Sequence, residues 1–132
     1  MGGRLTRTLL DTSVVIAGAQ TLKLQQGQTA AISVITLGEL RAGVQLASDP
    51  PTHAGRRARL AAIRSTFEPL PIDESIAEQY GDILATARAN KRSSKATDLL
   101  IIATAAATGR TLYTFDEAQA SLARLTGVPV QP

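Results

Sequence analysis

The chain has 132 residues, 44% of them hydrophobic and 19% charged, with a formal net charge of +3. That length is enough for one domain (1–132) with its own core, and no apolar run approaches the ~20 residues needed to span a bilayer. The chain has no cysteine, which excludes disulfides, thiolate zinc sites and cysteine nucleophiles, and a single histidine makes a Ser-His-Asp triad improbable.

The first predicted strand is "RTLLD" (7–11), followed by a helix over 12–25. Arg4 and Arg7 before an apolar run, then "IAGAQ", imitate a signal peptide and its cleavage site. Asp11 interrupts that apolar run, so the segment is read as folded structure, and a cysteine-free chain without a leader fits the cytoplasm. "AISVI" (31–35) is the second strand, leading into a helix over 36–47 with Leu37, Leu40, Val44 and Ala47 on one face. "ASDPPTHAG" (47–55) reads as a loop carrying the lone His53, ahead of a helix over 54–66.

"EPLPI" (68–72) is the third strand, and Asp73 is placed to cap a helix over 74–90. Helices over 96–108 and 117–126 flank the strand "TLYTF" (111–115), with Gly109 and Gly127 placed to end them. "VPVQ" (128–131) closes the series. Strands alternating with helices imply βαβ units and a mostly parallel sheet of four to five strands, covered on both faces. The chain shows no internal repeat, low-complexity tract or linker.

Its basic residues are unevenly spread. Residues 50–67 hold Arg56, Arg57, Arg59 and Arg64 without an acid, and residues 83–97 hold Arg88, Lys91, Arg92 and Lys95 without an acid. Such segments suit a polyanionic partner, though solvated helix faces would look the same.

Ligands of open parallel sheets collect at the carboxyl ends of the strands. Four acids set in apolar sequence fall there: Asp11 after the first strand, Glu39 in "VITLGELRAG", Asp98 in "KATDLLIIATA", and Asp116 after the fourth strand. Each also has a purely structural explanation. Asp11 and Asp98 suit helix caps, Asp116 suits an Asx turn, and Glu39 suits a solvated flank. If the four converge, their mutual repulsion calls for a hard divalent cation, and this chain supplies only oxygen ligands for Mg²⁺ or Mn²⁺. Thr12, Ser13 and Thr114 place hydroxyls beside two of the acids, with ordinary turn and cap bonding the expected role of Ser13. Arg41, roughly opposite Glu39 around its helix, is left outside the site.

Four segments, "LLDTSVVI", "ISVITLGELRAG", "DLLIIATAAATG" and "TLYTFD", occur in this order at fitting spacings. Together they resemble the PIN-domain ribonucleases, and among these the VapC-type toxins of bacterial toxin–antitoxin pairs. The resemblance runs nearly the whole chain. It implies a PIN-like three-layer α/β/α fold and an acidic pocket for Mg²⁺ or Mn²⁺ that cleaves RNA endonucleolytically. The metal role passes to Asp11, Glu39, Asp98 and Asp116, with Thr12 and Thr114 as supporting hydroxyls. Many relatives follow the fourth strand with an asparagine and an Asp-Phe pair. Here the text is "TFDEAQA", which leaves open whether Asp116, Glu117 or both complete the pocket. The resemblance also implies a homodimer and a VapB-type antitoxin whose tail enters the active-site groove.

The expected chemistry is attack of a metal-activated water on the scissile phosphate, leaving a 5′-phosphate and a 3′-hydroxyl. With 3% aromatic residues, a base-stacking platform is disfavoured, and a folded RNA such as tRNA or rRNA is the expected substrate. Phosphatases with an Asp nucleophile need a second Asp where Ser13 stands, and a receiver domain needs a lysine after the late strand. The alternatives that survive are a catalytically silent PIN-like binding module and a DNA nuclease.

Overall fold

The computed structural model describes residues 6–18 and 28–132. Its elements alternate as β1 (Thr6–Leu10), α1 (Thr12–Ile16), β2 (Gln28–Ser33), α2 (Val34–Gln45), α3 (Pro50–Thr66) and β3 (Glu68–Leu70), then α4 (Glu74–Ala89), α5 (Ala96–Thr108), β4 (Thr111–Tyr113), α6 (Glu117–Leu125) and β5 (Val130–Gln131). The five strands form one sheet in the order β3-β2-β1-β4-β5. Every pairing is parallel, with Leu9 opposite Ala31 on one side and Leu112 on the other.

Parallel strands with helices on both faces bury both sides, and successive residues point to opposite faces. Leu9 and Leu10 are both fully buried and illustrate this. Leu9 joins a core with Ala31, Leu112 and residues of α4, α5 and α6, including Ile83, Ile101, Ile102 and Leu122. Leu10 joins Ile32 in a second core with Val14 and Val15 of α1, Ile63 of α3, and Phe67. Leu37 and Leu40 of α2 pack against this second core, and Val44 is buried, as their shared face anticipates. The result is the expected three-layer α/β/α arrangement, with the sheet wholly parallel. Among the described residues no helix is long and apolar enough to cross a membrane.

Most departures from the expected boundaries have a local cause. Ser33 is buried and its Oγ accepts the Ile35 N–H at 3.0 Å. This cap starts α2 at Val34 and overrides the strand preference of Val34 and Ile35. The expected loop over 47–55 is instead mostly helix. Asp49 accepts the Thr52 N–H at 2.8 Å, and Pro50 and Pro51 occupy the first helical turn, where their missing N–H groups cost nothing. His53 therefore lies in the first turn of α3. Helix α1 ends at Ile16, and Gly18 adopts φ 96, a conformation that breaks a helix at little cost to glycine. The rest of the helix expected over 12–25 falls mainly on 19–27, outside the described residues.

Other terminators stand where the sequence puts them. Asp73 accepts the Ile76 N–H at 2.9 Å to cap α4. Gly109 ends α5 at φ 64, with the Arg110 N–H returning to the Ala105 carbonyl at 2.9 Å. Gly127 turns the chain after α6 at φ 87.

Candidate active site

The strand order reverses direction at β1, which has β2 on one side and β4 on the other. Such a switch point opens a crevice at the carboxyl ends of the two diverging strands. Asp11 leaves β1 there, its N–H bonded to the Tyr113 carbonyl at 2.9 Å. Thr114 and Asp116 leave β4 beside it, and α2 and α5 bring Glu39 and Asp98 from their first turns or just beyond.

Asp11 caps α1 and is 5% exposed. Its Oδ2 accepts the Ser13 N–H at 3.1 Å, the Ser13 hydroxyl at 2.6 Å and the Thr114 hydroxyl at 3.2 Å. Structural capping and membership of a site are therefore not alternatives for Asp11, because Oδ2 caps the helix and Oδ1 makes no hydrogen bond among the described residues. Thr114, also buried, has one hydroxyl proton to share between Asp11 Oδ2 and Gln119 Oε1, the latter at 2.7 Å, and it accepts the Asp116 N–H at 3.0 Å. Asp116 is exposed and caps α6 by accepting the Gln119 N–H at 3.1 Å.

On the other wall, the Thr12 hydroxyl donates to Glu39 Oε1 at 2.6 Å and lies 3.0 Å from the Thr36 hydroxyl. Thr12 has a single proton, committed to Glu39, so Thr36 is the donor of the second bond. Thr36 is fully buried and holds the pair from beneath.

Asp98 behaves differently from the other acids. It lies in the first turn of α5, yet the cap position is Lys95 and no side chain caps that helix. Its carboxyl pKa is raised above the ordinary value by burial. The Lys95 cation opposes this, and the charges of Asp11, Asp116 and Glu39 add to it. Asp11, Asp116 and Glu39 thus all lie within electrostatic reach of Asp98. Glu117 is nearly fully exposed and pairs with Arg124 at 3.9 Å. Arg41 is exposed on α2.

Two residues gain importance from the fold alone. Ser13 was expected to do ordinary cap bonding, and it does, but its Oγ also accepts the Phe115 N–H at 3.1 Å and so ties the loop after β4 to α1. Gln119 is 2% exposed and reaches from Thr114 toward the Asp98 carbonyl at 3.5 Å. A polar residue on a helix whose neighbours Ala120, Leu122 and Ala123 are buried was the only sequence signal for it.

The donor set is all oxygen and carries excess negative charge, which suits a hard divalent cation. Among the described residues no group of three acids or histidines stands at the spacing that would hold an ion directly.

The chain matches the PIN domain family over residues 8–125. Ribonuclease VapC4 of Mycobacterium tuberculosis is 38% identical over 120 residues, covering 88% of this chain and 91% of that protein. Ribonuclease VapC8 of the same organism is 40% identical over 102 residues, covering 74% and 88%. Among solved structures, a member of the VapBC family of toxin-antitoxin systems, VapBC-5 from M. tuberculosis, matches with a TM-score of 0.83 at 30% identity. That match covers 96% of this chain and 98% of the other.

Proposed function

The chain belongs to the PIN-domain family, and from that premise we propose that it is a divalent-metal-dependent endoribonuclease, a VapC-type toxin restrained by a VapB-type antitoxin. The observation that carries the reading is Asp98. It caps nothing, and its carboxyl is pushed up by burial and by three neighbouring carboxylates. A half-buried acid repelled by three others is a costly arrangement unless a cation offsets it.

Asp11, Glu39, Asp98 and Asp116 would hold Mg²⁺ or Mn²⁺. When bound, such an ion polarises the phosphoryl oxygen and makes a nearby water acidic enough to attack at neutral pH. The chain's own groups fix the geometry. Ser13 and Thr114 hold Oδ2 of Asp11 and Thr12 holds Oε1 of Glu39, so each of these two acids is oriented through one oxygen. The water oxygen forms the new bond to phosphorus while the bond to O3′ breaks. The 3′ oxygen leaves with a proton, so the ends are a 5′-phosphate and a 3′-hydroxyl.

A folded RNA, such as tRNA or rRNA, is the substrate this reading favours, because the chain has two Phe, two Tyr and no Trp with which to stack unstructured strands. A homodimer and a cytoplasmic location belong to the same reading on the strength of the family resemblance.

The test is cleavage of total cellular RNA by purified, antitoxin-free protein in Mn²⁺ or Mg²⁺, with EDTA and Asp98→Asn as controls. Discrete cuts that vanish in both controls are expected. Absence of metal-dependent cleavage by folded protein would overturn the reading in favour of a binding module, and cleavage of DNA alone would make it a DNA nuclease.

A further inference from the structure

We infer that the pocket between α2 and α3 receives the nucleotide adjoining the cleaved phosphate, with Arg56 and Arg59 gripping its phosphate and Ile16, Leu40 and Leu60 receiving its base. The inference rests on the nuclease reading above and adds the residues that would position the strand.

The pocket measures about 360 Å³ and is lined by Glu39 together with those five side chains. It is therefore continuous with the acid cluster through Glu39, the residue that Thr12 anchors. Its volume falls within the range of small-ligand sites and accommodates one base with its sugar.

Its charge favours a phosphate. Arg56 is braced on α2, where Nη1 donates to the Gly43 carbonyl at 2.7 Å. Arg59, exposed, makes no hydrogen bond or ion pair among the described residues. Residues 50–67 contain no acid; the cap residue Asp49 interacts with Arg56, and Glu39 is the one carboxylate lining the pocket beside the two guanidiniums. Two adjacent guanidiniums match the planar, bidentate recognition of a phosphodiester. The apolar wall fits the other half of a nucleotide. Ile16 is 54% exposed at the rim, Leu40 is half-buried and Leu60 forms the floor. Aliphatic side chains receive a single unstacked base without a stacking platform, in keeping with the low aromatic content. A purely apolar partner side chain would offer neither guanidinium an acceptor.

The probe is a fluorescein-labelled single-stranded RNA of mixed sequence, read by fluorescence anisotropy in Mg²⁺. All variants are made in the Asp98→Asn background so that the probe stays whole, and their melting temperatures are matched to that parent. Arg59→Ala is expected to weaken binding about ten-fold and to lower the slope of log affinity against log salt by about 0.7, the share of one phosphate contact on a single strand. Arg59→Lys keeps the salt slope while losing part of the affinity, and Arg64→Ala, on the same helix but outside the pocket, changes neither. Equal binding by Arg59→Ala and Arg64→Ala overturns the inference and leaves the pocket to a protein side chain. No binding of RNA by the parent overturns it too. Arg59-dependent binding in a protein whose wild type cleaves no RNA would instead sink the nuclease reading and leave the nucleotide subsite standing.

Discussion

Thr12 and Glu39, 27 residues apart in the chain, are joined by a 2.6 Å hydrogen bond between Oγ1 and Oε1. The bond links the first residue of α1 to α2 and is backed by the buried Thr36. It fixes one oxygen of Glu39 and so orients the carboxylate. Thr12→Val keeps the shape of the side chain and removes the donor. Groups that orient a metal-binding carboxylate typically matter by 10–100-fold in affinity or activity. The Mn²⁺ concentration needed for half-maximal cleavage should rise by about that factor, while Thr12→Ser stays near wild type. An unchanged Mn²⁺ requirement in Thr12→Val would remove Thr12 from the site.

Asp98 carries a pH signature. Its folded-state pKa is raised above the ordinary 3.8, with burial the largest cause. The sign follows from linkage: the protonated form is favoured in the folded chain, and that stability is lost as pH rises from 3.8 through the raised value. Metal-free Asp98→Asn should therefore melt above the wild type at pH 7, with the gap closing in acid. Its cleavage rate should fall on the order of a hundred-fold or more, as for loss of a group that stabilises developing charge. Adding Mn²⁺ should raise the wild-type melting temperature more than that of the variant. A variant that melts lower than wild type at neutral pH would contradict the repulsion among the four acids.

Ser13 connects two loops through one hydroxyl, which donates to Asp11 at 2.6 Å and accepts from the Phe115 N–H at 3.1 Å. Ser13→Ala leaves both partners short, at a cost of about 1–2 kcal/mol in stability. Chemical denaturation should show this, together with reduced cleavage from a less constrained Asp11. Full activity in a destabilised Ser13→Ala would confine the residue to a structural role.

Gly109 offers the opposite control. It sits at φ 64 with open space where a Cβ would stand, so Gly109→Ala meets conformational rather than steric cost. The expected loss is about 1 kcal/mol of stability, with cleavage unchanged at temperatures well below the melt. A loss of activity larger than the loss of folded protein would show that α5 transmits strain to Asp98 at its other end.

The central strands were legible because each carries a short buried apolar run bounded by polar or turn residues, whereas the edge strand β3 is mostly exposed. Their ends were less so. Val34 and Ile35 read as strand by their branched side chains, but the Ser33 hydroxyl caps a helix that starts there. The prolines of "DPPTHAG" read as loop, although Pro50 and Pro51 suit the first turn of a helix that Asp49 caps. Both errors come from caps, where a single side-chain hydrogen bond outweighs the average preference of several residues.

The sequence by itself determined the alternation of elements, the two-faced burial of the central strands and the presence of four acids after strands or at helix starts. Those properties are local: they depend on the period of apolar residues and on neighbours a few positions away. Only the tertiary structure decided that β1 has β2 on one side and β4 on the other, which opens the crevice between Asp11 and Asp116. Only it brought Asp98 within reach of three other carboxylates, sent Glu117 outward to Arg124, and recruited Ser13 and Gln119 to brace the site. These relations join residues up to 103 positions apart, as in the bond from Thr114 to Asp11, and the pairing of strands sets them. No local pattern encodes that pairing, because it is chosen by how the whole core packs.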